Sequence, residues 1–233
     1  MITTPILALE GVSRRYAQGV TALQEVTLQI APGVSVALRG PSGCGKSTLL
    51  HMLCGLDRPS AGRALFNGTQ PASAGAWARI RAARIGFVFQ AFHLLPMLNA
   101  MENVQIPMLG IERNARSRRR RAETLLERVG LAARACHRPG QLSGGECQRV
   151  AIARSLANKP DVILADEPTG NLDSQTSAAI LGLLADIHKS DGVTLVMATH
   201  DATISSFAQR TIHMLDGRLL VLPSAEAVIS CTC

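Results

Sequence analysis

Apolar positions alternate with polar ones near the start of the chain. Leu7-Ala8-Leu9 and the alternating stretch from Leu23 to Ile30 have the two-residue period of strands with one polar face. After the turn signal Pro32-Gly33, the run from Val34 to Leu38 reads as a buried strand and Thr48 to Leu53 as helix. Pro59 to Gly62 is loop. Arg63 to Phe66 is a short strand that meets the hairpin-type pair Asn67-Gly68. Pro71 to Gly75 is loop, Ala76 to Ala83 a weak helix, and Ile85 to Phe89 a second buried strand ending at Gln90.

From Ala91 to about Gly140 the pattern turns helical, broken by Pro96, Pro107, Gly110 and Gly130. One helix is expected from about Arg116 to Val129 and another from Ser143 to Asn158. Val162 to Ala165 and Val193 to Ala198 read as buried strands. Between them Ser174 to Lys189 is an amphipathic helix stopped by Asp191-Gly192. Thr203 to Phe207 is a short helix. Ile212 to Leu215 and Leu219 to Leu222 flank a second hairpin pair, Asp216-Gly217. Alternating strands and helices predict an α/β fold with a mostly parallel sheet. The early strands predict a small antiparallel layer beside it. The expected division is one domain over 1–233, with the core and β layer at about 1–90 and 159–233 and an inserted helical subdomain at about 91–158.

A chain of 233 residues can bury a full core. It has no run of eighteen apolar residues, so no span of a bilayer is expected, and Met1 to Pro5 does not read as a secretion signal. The six cysteines are scattered apart from Cys231 and Cys233, without paired zinc-ligand spacing, which favours free thiols in a reducing compartment. The net charge of +7 is largely local, because six arginines fall between Arg113 and Arg121. A solvated helix face is the plainest reading of that cluster. Contact with anionic lipid headgroups comes next. Nucleic acid comes last, since no aromatics interleave.

Gly40-Pro41-Ser42-Gly43-Cys44-Gly45-Lys46-Ser47-Thr48 has the P-loop spacing, and it lies between a strand and a helix. Glycines let backbone N–H groups converge, and the helix N-terminus adds partial positive charge, so the loop suits phosphates. Lys46 should reach the terminal phosphates and Ser47 should ligate Mg²⁺. Cys44 inside the loop predicts that thiol reagents block nucleotide binding. Asp166-Glu167 ends an apolar strand, where Asp166 can hold Mg²⁺ and Glu167 can activate water. Leu142-Ser143-Gly144-Gly145-Glu146 opens a helix with a capping box and offers a second phosphate cradle. Asn158-Lys159-Pro160-Asp161 matches a guanine-reading pattern but precedes the Asp166 strand, so it reads as a helix-to-strand loop.

With Gln90 ending its strand, Asn171-Leu172-Asp173 after Glu167, and His200 after another strand, the chain resembles the nucleotide-binding subunits of ATP-binding cassette (ABC) transporters. The resemblance covers nearly the whole chain. It implies a RecA-like P-loop NTPase core with an antiparallel β subdomain and an inserted α-helical subdomain. It also implies ATP and Mg²⁺ as cofactors and hydrolysis of ATP to ADP and phosphate. Tyr16 would stack on adenine, Gln90 would contact Mg²⁺ and sense the membrane partner, and His200 would meet the γ-phosphate. Ser143, Gly144, Gly145 and Asp173 would act across a head-to-tail dimer. Integral-membrane permease subunits are the implied partner, with no specific nucleic acid, and Leu94 to Met108 is the expected permease-facing lining. The implied place is cytoplasmic, on the inner face of the cell membrane. Phe87 to Pro96, Glu102-Asn103-Val104 and Leu164 to Asp173 resemble the group of lipoprotein-release and macrolide-efflux ATPases. A non-transporting regulator of a membrane protein stays open as an alternative. A nucleic-acid-acting ABC ATPase is disfavoured, because this sequence shows neither a second cassette nor a coiled-coil insertion. Cys147 departs from the usual polar residue after the signature Glu, which puts local subunit contacts in question.

Overall fold

The structure is a computed structural model that describes residues 4–17, 19–200 and 207–220. Strands β1 (Leu7–Arg15), β2 (Thr21–Ile30) and, after β3 (Ser35–Arg39) and helix α1 (Lys46–Leu53), β4 (Ala61–Phe66) form an antiparallel sheet in the order β2-β1-β4. Asn67 and Gly68 both take positive φ, as a tight turn requires, but the turn closes on one bridge, Phe66 to Thr69, and no strand returns from it. Helix α2 (Ala74–Arg84) is capped by Ser73 and leads directly into β5 (Ile85–Val88).

The helical stretch contains α3 (Ala100–Gln105), α4 (Ala115–Arg128) and α5 (Gly144–Ser155). Then come β6 (Val162–Asp166), α6 (Ser174–Asp191), β7 (Thr194–Thr199), β8 (Arg210–Leu215) and β9 (Arg218–Leu220). The second sheet runs β5-β6-β7-β3-β8-β9, parallel except for β9, which pairs antiparallel to β8. Gly192 ends α6 in the left-handed conformation expected of a C-terminal glycine. The helix expected at Thr203 to Phe207 lies almost wholly outside the described residues, as does Leu222.

Alternate residues of the parallel strands feed two different cores. Val162 and Leu164 of β6, with Val196 and Ala198 of β7, pack with α1 and the antiparallel sheet. Ile163 and Ala165, with Leu195 and Met197, pack with α3, α4, α5 and α6. Burial on both faces explains why these strands read as continuous apolar runs. The helical stretch therefore shares its core with one face of the sheet. Asn158 to Asp161 is a loop, as expected; Asn158 donates to the carbonyls of Ala82 and Pro107, and Asp161 pairs with Arg84. No helix among the described residues is long and apolar enough to cross a membrane.

Candidate functional site

Parallel registry brings the site together. Arg39 pairs with Thr199, and Asp166 with Ala198, so β3, β7 and β6 end side by side. The residues that follow, Gly40, His200 and Glu167, emerge together at the carboxyl ends of these central strands, where open α/β sheets carry their ligand sites.

The loop after β3 is shaped by close approach. A Cβ on Gly45, whose φ is +103°, would lie 2.4 Å from the Ala22 carbonyl oxygen, so only glycine fits. Gly45 precedes α1 without a side-chain cap, which leaves the first-turn N–H groups aimed at the loop mouth. Pro41, Ser42 and Gly43 are exposed, and Thr48 is half-buried. Lys46 is 5% exposed; its Nζ donates to the carbonyls of Gly40 at 2.8 Å and Pro41 at 2.9 Å. Cys44 corrects the sequence expectation. Its side chain is buried and faces inward, with Sγ 2.7 Å from where a Cβ on Gly40 would stand, so it is not open to bulky reagents.

Ser47 Oγ donates to Asp166 Oδ1 at 3.0 Å. Burial pushes the Asp166 carboxyl above its ordinary range, against the pull of the Ser47 hydrogen bond. The pair offers two hard oxygen donors, the type that suits a divalent cation such as Mg²⁺.

Glu167 has a φ of +43°, a left-handed backbone held by its N–H bond to the Ala198 carbonyl at 3.0 Å. Non-glycine residues adopt this region at a cost of order 1 kcal/mol, and such strain clusters at functional sites. Its carboxylate lies between two basic groups: Oε1 is 3.7 Å from Lys46 Nζ and Oε2 is 3.3 Å from His200 Nδ1. A Cβ on Gly170 would meet Gln90 Nε2 at 2.8 Å and Glu167 Oε2 at 3.3 Å, which places the Gln90 amide beside this carboxylate. Glu167, Gly170, Leu172, Thr199, His200 and Phe207 help line a cleft of about 510 Å³.

The signature residues gather elsewhere. Ser143 caps α5 in a reciprocal box, with Ser143 N–H donating to Glu146 at 2.8 Å and Glu146 N–H to Ser143 Oγ at 3.2 Å. The bond from the Ser143 N–H holds the Glu146 carboxyl below its usual range. A Cβ on Gly145 would stand 2.5 Å from Thr176 Cγ2, so the glycine lets α5 seat on the start of α6. Asp173 caps that same start through Thr176 N–H at 2.9 Å. Ser143, Gly144 and Asp173 are exposed. Among the described residues no hydrogen bond or ion pair joins them to Gly40–Thr48, Glu167 or His200. Cys147 is buried and points at the Pro139 carbonyl, so it stays within its own chain.

Tyr16 stands apart at the end of β1, 39% exposed. Its hydroxyl donates to Asp57 at 3.1 Å, and the Arg14 guanidinium lies 4.5 Å from its ring centroid. Two residues of α5 were missed in the sequence reading. Gln148, fully buried, donates to the Pro168 carbonyl at 2.6 Å, one residue beyond Glu167. Arg154 donates to the carbonyls of Phe92 and His93, both at positive φ just after Gln90. The available signal was helical spacing, since Gln148 lies three residues after Gly145 and four before Ile152 on the inward face.

The sequence profile described as "ABC transporter" matches residues 23–170. The chain is 45% identical over 242 residues to the macrolide export ATP-binding/permease protein MacB of Sodalis glossinidius, covering 99% of this chain and 37% of that one. It is 45% identical over 232 residues to the lipoprotein-releasing system ATP-binding protein LolD 2 of Rhodopirellula baltica, covering 94% of this chain and 91% of that one. Its fold matches the dimeric post-hydrolysis structure of the ATP-binding cassette MJ0796 bound to ADP and Pi, with a TM-score of 0.85 and 41% identity over 91% of this chain and 96% of that one. Profile, relatives and fold agree with the loop, carboxylate pair and signature helix: the chain belongs to the ABC transporter family.

Proposed function

We propose that the protein binds ATP with Mg²⁺, hydrolyses it between two cassettes joined head to tail, and thereby drives an integral-membrane permease. The observation that carries this reading is the division of the site. Lys46, Ser47, Asp166, Glu167 and His200 converge at the carboxyl ends of the central strands, while Ser143, Gly144 and Asp173 are exposed on another part of the surface. A second chain can bring its Ser143 hydroxyl and the free N–H groups of α5 to the phosphates held by the first. The relative bound to ADP and Pi is itself dimeric.

In this reading the Gly40–Thr48 backbone and Lys46 cradle the phosphates, and Tyr16 holds the base. Ser47 and Asp166, with Gln90, would hold Mg²⁺, which offsets phosphate charge when bound. Glu167 takes the proton of the attacking water, and His200 orients its carboxylate and meets the γ-phosphate. The division of the chain at about residues 91 and 158 separates the nucleotide core from the helical arm that carries the signature.

The permease would seat at the junction of those parts. A cleft of about 250 Å³ there is lined by Phe87, Phe89, His93, Pro107, Arg154 and Asn158, among others. A few residues along the chain from His93, Leu95 and Met97 are 49% and 74% exposed, whereas Val104 and Met108 from the same expected lining are core. Docking would hold the protein at the inner face of the membrane. The relatives' names, macrolide export and lipoprotein release, support a permease partner of that group.

The test is Glu167→Gln. Loss of a general base slows hydrolysis by about 10²- to 10⁴-fold. ATP should stay bound, and the variant should run as a dimer with ATP and Mg²⁺ in light scattering. A variant that hydrolyses ATP normally, or stays monomeric with ATP bound, would sink the proposal.

A further inference from the structure

The nucleotide site leaves the arginine-rich segment without a task. The structure divides its six arginines. Arg118 turns inward, with Nη1 donating to the carbonyls of Glu112 at 2.8 Å and Arg113 at 3.0 Å. Arg121 donates to the carbonyls of Leu156 at 3.0 Å and Ala157 at 3.4 Å and so closes the end of α5. Both depart from the solvated face that the sequence suggests. Arg119 pairs with Glu123 at 3.0 Å. Arg113, Arg116 and Arg120 are exposed, and among the described residues their side chains make no hydrogen bond or ion pair.

These three do not serve α4 itself. They stand before and within its N-terminal half, where the helix dipole favours acids, and its first turn holds none. Arg116 and Arg120 are one turn apart, on the side away from buried Ala122, Leu125 and Leu126. Just before them Leu109 and Ile111 are 60% and 48% exposed. That pair is held in place: the N–H groups of Ile111 and Glu112 both donate to the Met108 carbonyl, and Arg118 fastens the Glu112–Arg113 backbone to α4. The nearby acid, Glu112, is engaged by the Asn114 N–H at 2.8 Å.

We propose that the segment Leu109–Arg120 docks on an anionic bilayer surface. Arg113, Arg116 and Arg120 meet lipid phosphates, and Leu109 and Ile111 enter the headgroup boundary. Free cations beside exposed aliphatic side chains are the combination that binds anionic membrane interfaces. A single-stranded nucleic acid would call for aromatic platforms among the arginines, and the exposed residues here are aliphatic. The contact needs no permease, so it is separable from the proposed transport role.

The test is co-sedimentation of the full 233-residue chain with vesicles of phosphatidylcholine alone or mixed with phosphatidylglycerol. The wild type should bind the anionic vesicles, release at high salt, and ignore the neutral ones. Each arginine near such a surface contributes about fivefold in affinity, so the Arg113→Gln/Arg116→Gln/Arg120→Gln triple should lose roughly 100-fold. The matching Lys triple should bind like the wild type, which separates lost charge from damaged fold. Leu109→Ser/Ile111→Ser should weaken binding less. No retention on anionic vesicles at low salt, or equal retention of the Gln triple, would overturn the proposal. So would equally tight, arginine-dependent binding of a single-stranded oligonucleotide at the same salt.

Discussion

At the scale of single residues, the site depends on side chains that hold other side chains. Tyr16 is the clearest case. Asp57 accepts from its hydroxyl and pairs with Arg14 at 2.9 Å, while Arg14 covers one face of the ring. The clasp fixes the ring, and its other surface is the one that the proposed stacking on a base would use. Asp57→Ala should therefore weaken ATP about two- to tenfold, the range of an aromatic contact, and leave inorganic tripolyphosphate unchanged. Equal losses for both ligands in calorimetry would assign Asp57 a merely structural part. Cys44 is a second case, because burial reverses its expected reactivity. A maleimide on the native protein should spare Cys44, Cys54 and Cys147 and label exposed Cys136, with Cys44 reacting only after denaturation. Burial also pushes the Cys54 thiol up to about 11, so it carries little thiolate at neutral pH. Peptide mapping after brief labelling reads this directly, and rapid native modification of Cys44 would contradict the placement of the loop.

At the scale of elements, α5 connects the signature to the chemistry of its own chain. Its start presents Ser143 and Gly144, its middle holds Pro168 through Gln148, and its end grips the backbone after Gln90 through Arg154. Gln148→Leu would leave the buried Pro168 carbonyl without a partner, a cost of about 1–3 kcal/mol. If Gln148 also sets the Glu167 turn, kcat should fall while KM for ATP stays near that of the wild type. A drop in Tm with unchanged kcat would limit Gln148 to packing. Another link joins α4 to α6. Arg128 forms two bonds with Asp191, at 2.7 and 2.9 Å, and this holds the Asp191 carboxyl below its usual range. A lowered carboxyl stabilises the fold above the unfolded value near pH 4, and that contribution is lost as pH falls through the lowered value. The pair is about one-third exposed, so Asp191→Asn should cost only about 0.5–1 kcal/mol at pH 7. In urea titrations the gap between wild type and variant should close in acid; a gap that persists there would assign the effect to packing.

At the scale of the whole molecule, local spacing carried most of the fold and long-range geometry carried the rest. The P-loop, the buried strands and the helix caps were legible because glycine spacing, apolar runs and Ser143 or Asp173 ahead of a helix act over a few residues. The left-handed turn at Glu167, the inward path of Cys44, Arg118 and Arg121, and the grip of Arg154 on Phe92 depend on contacts between distant segments, which no short pattern encodes. The separation of the signature from the P-loop belongs to this second kind, and it has a consequence that can be measured. Lys46→Ala should disable a chain's own phosphate cradle, and Ser143→Arg should disable the cradle it lends. If the working site is shared, each variant alone has no intact site. A mixed dimer has one, built from the P-loop of the Ser143→Arg chain and the signature of the Lys46→Ala chain. Random pairing makes half of the dimers mixed, so an equimolar mixture should recover about a quarter of wild-type turnover if the two sites fire independently. A site complete within one chain predicts a mixture as inactive as its components. Recovery on mixing is the result that a self-sufficient chain could not give.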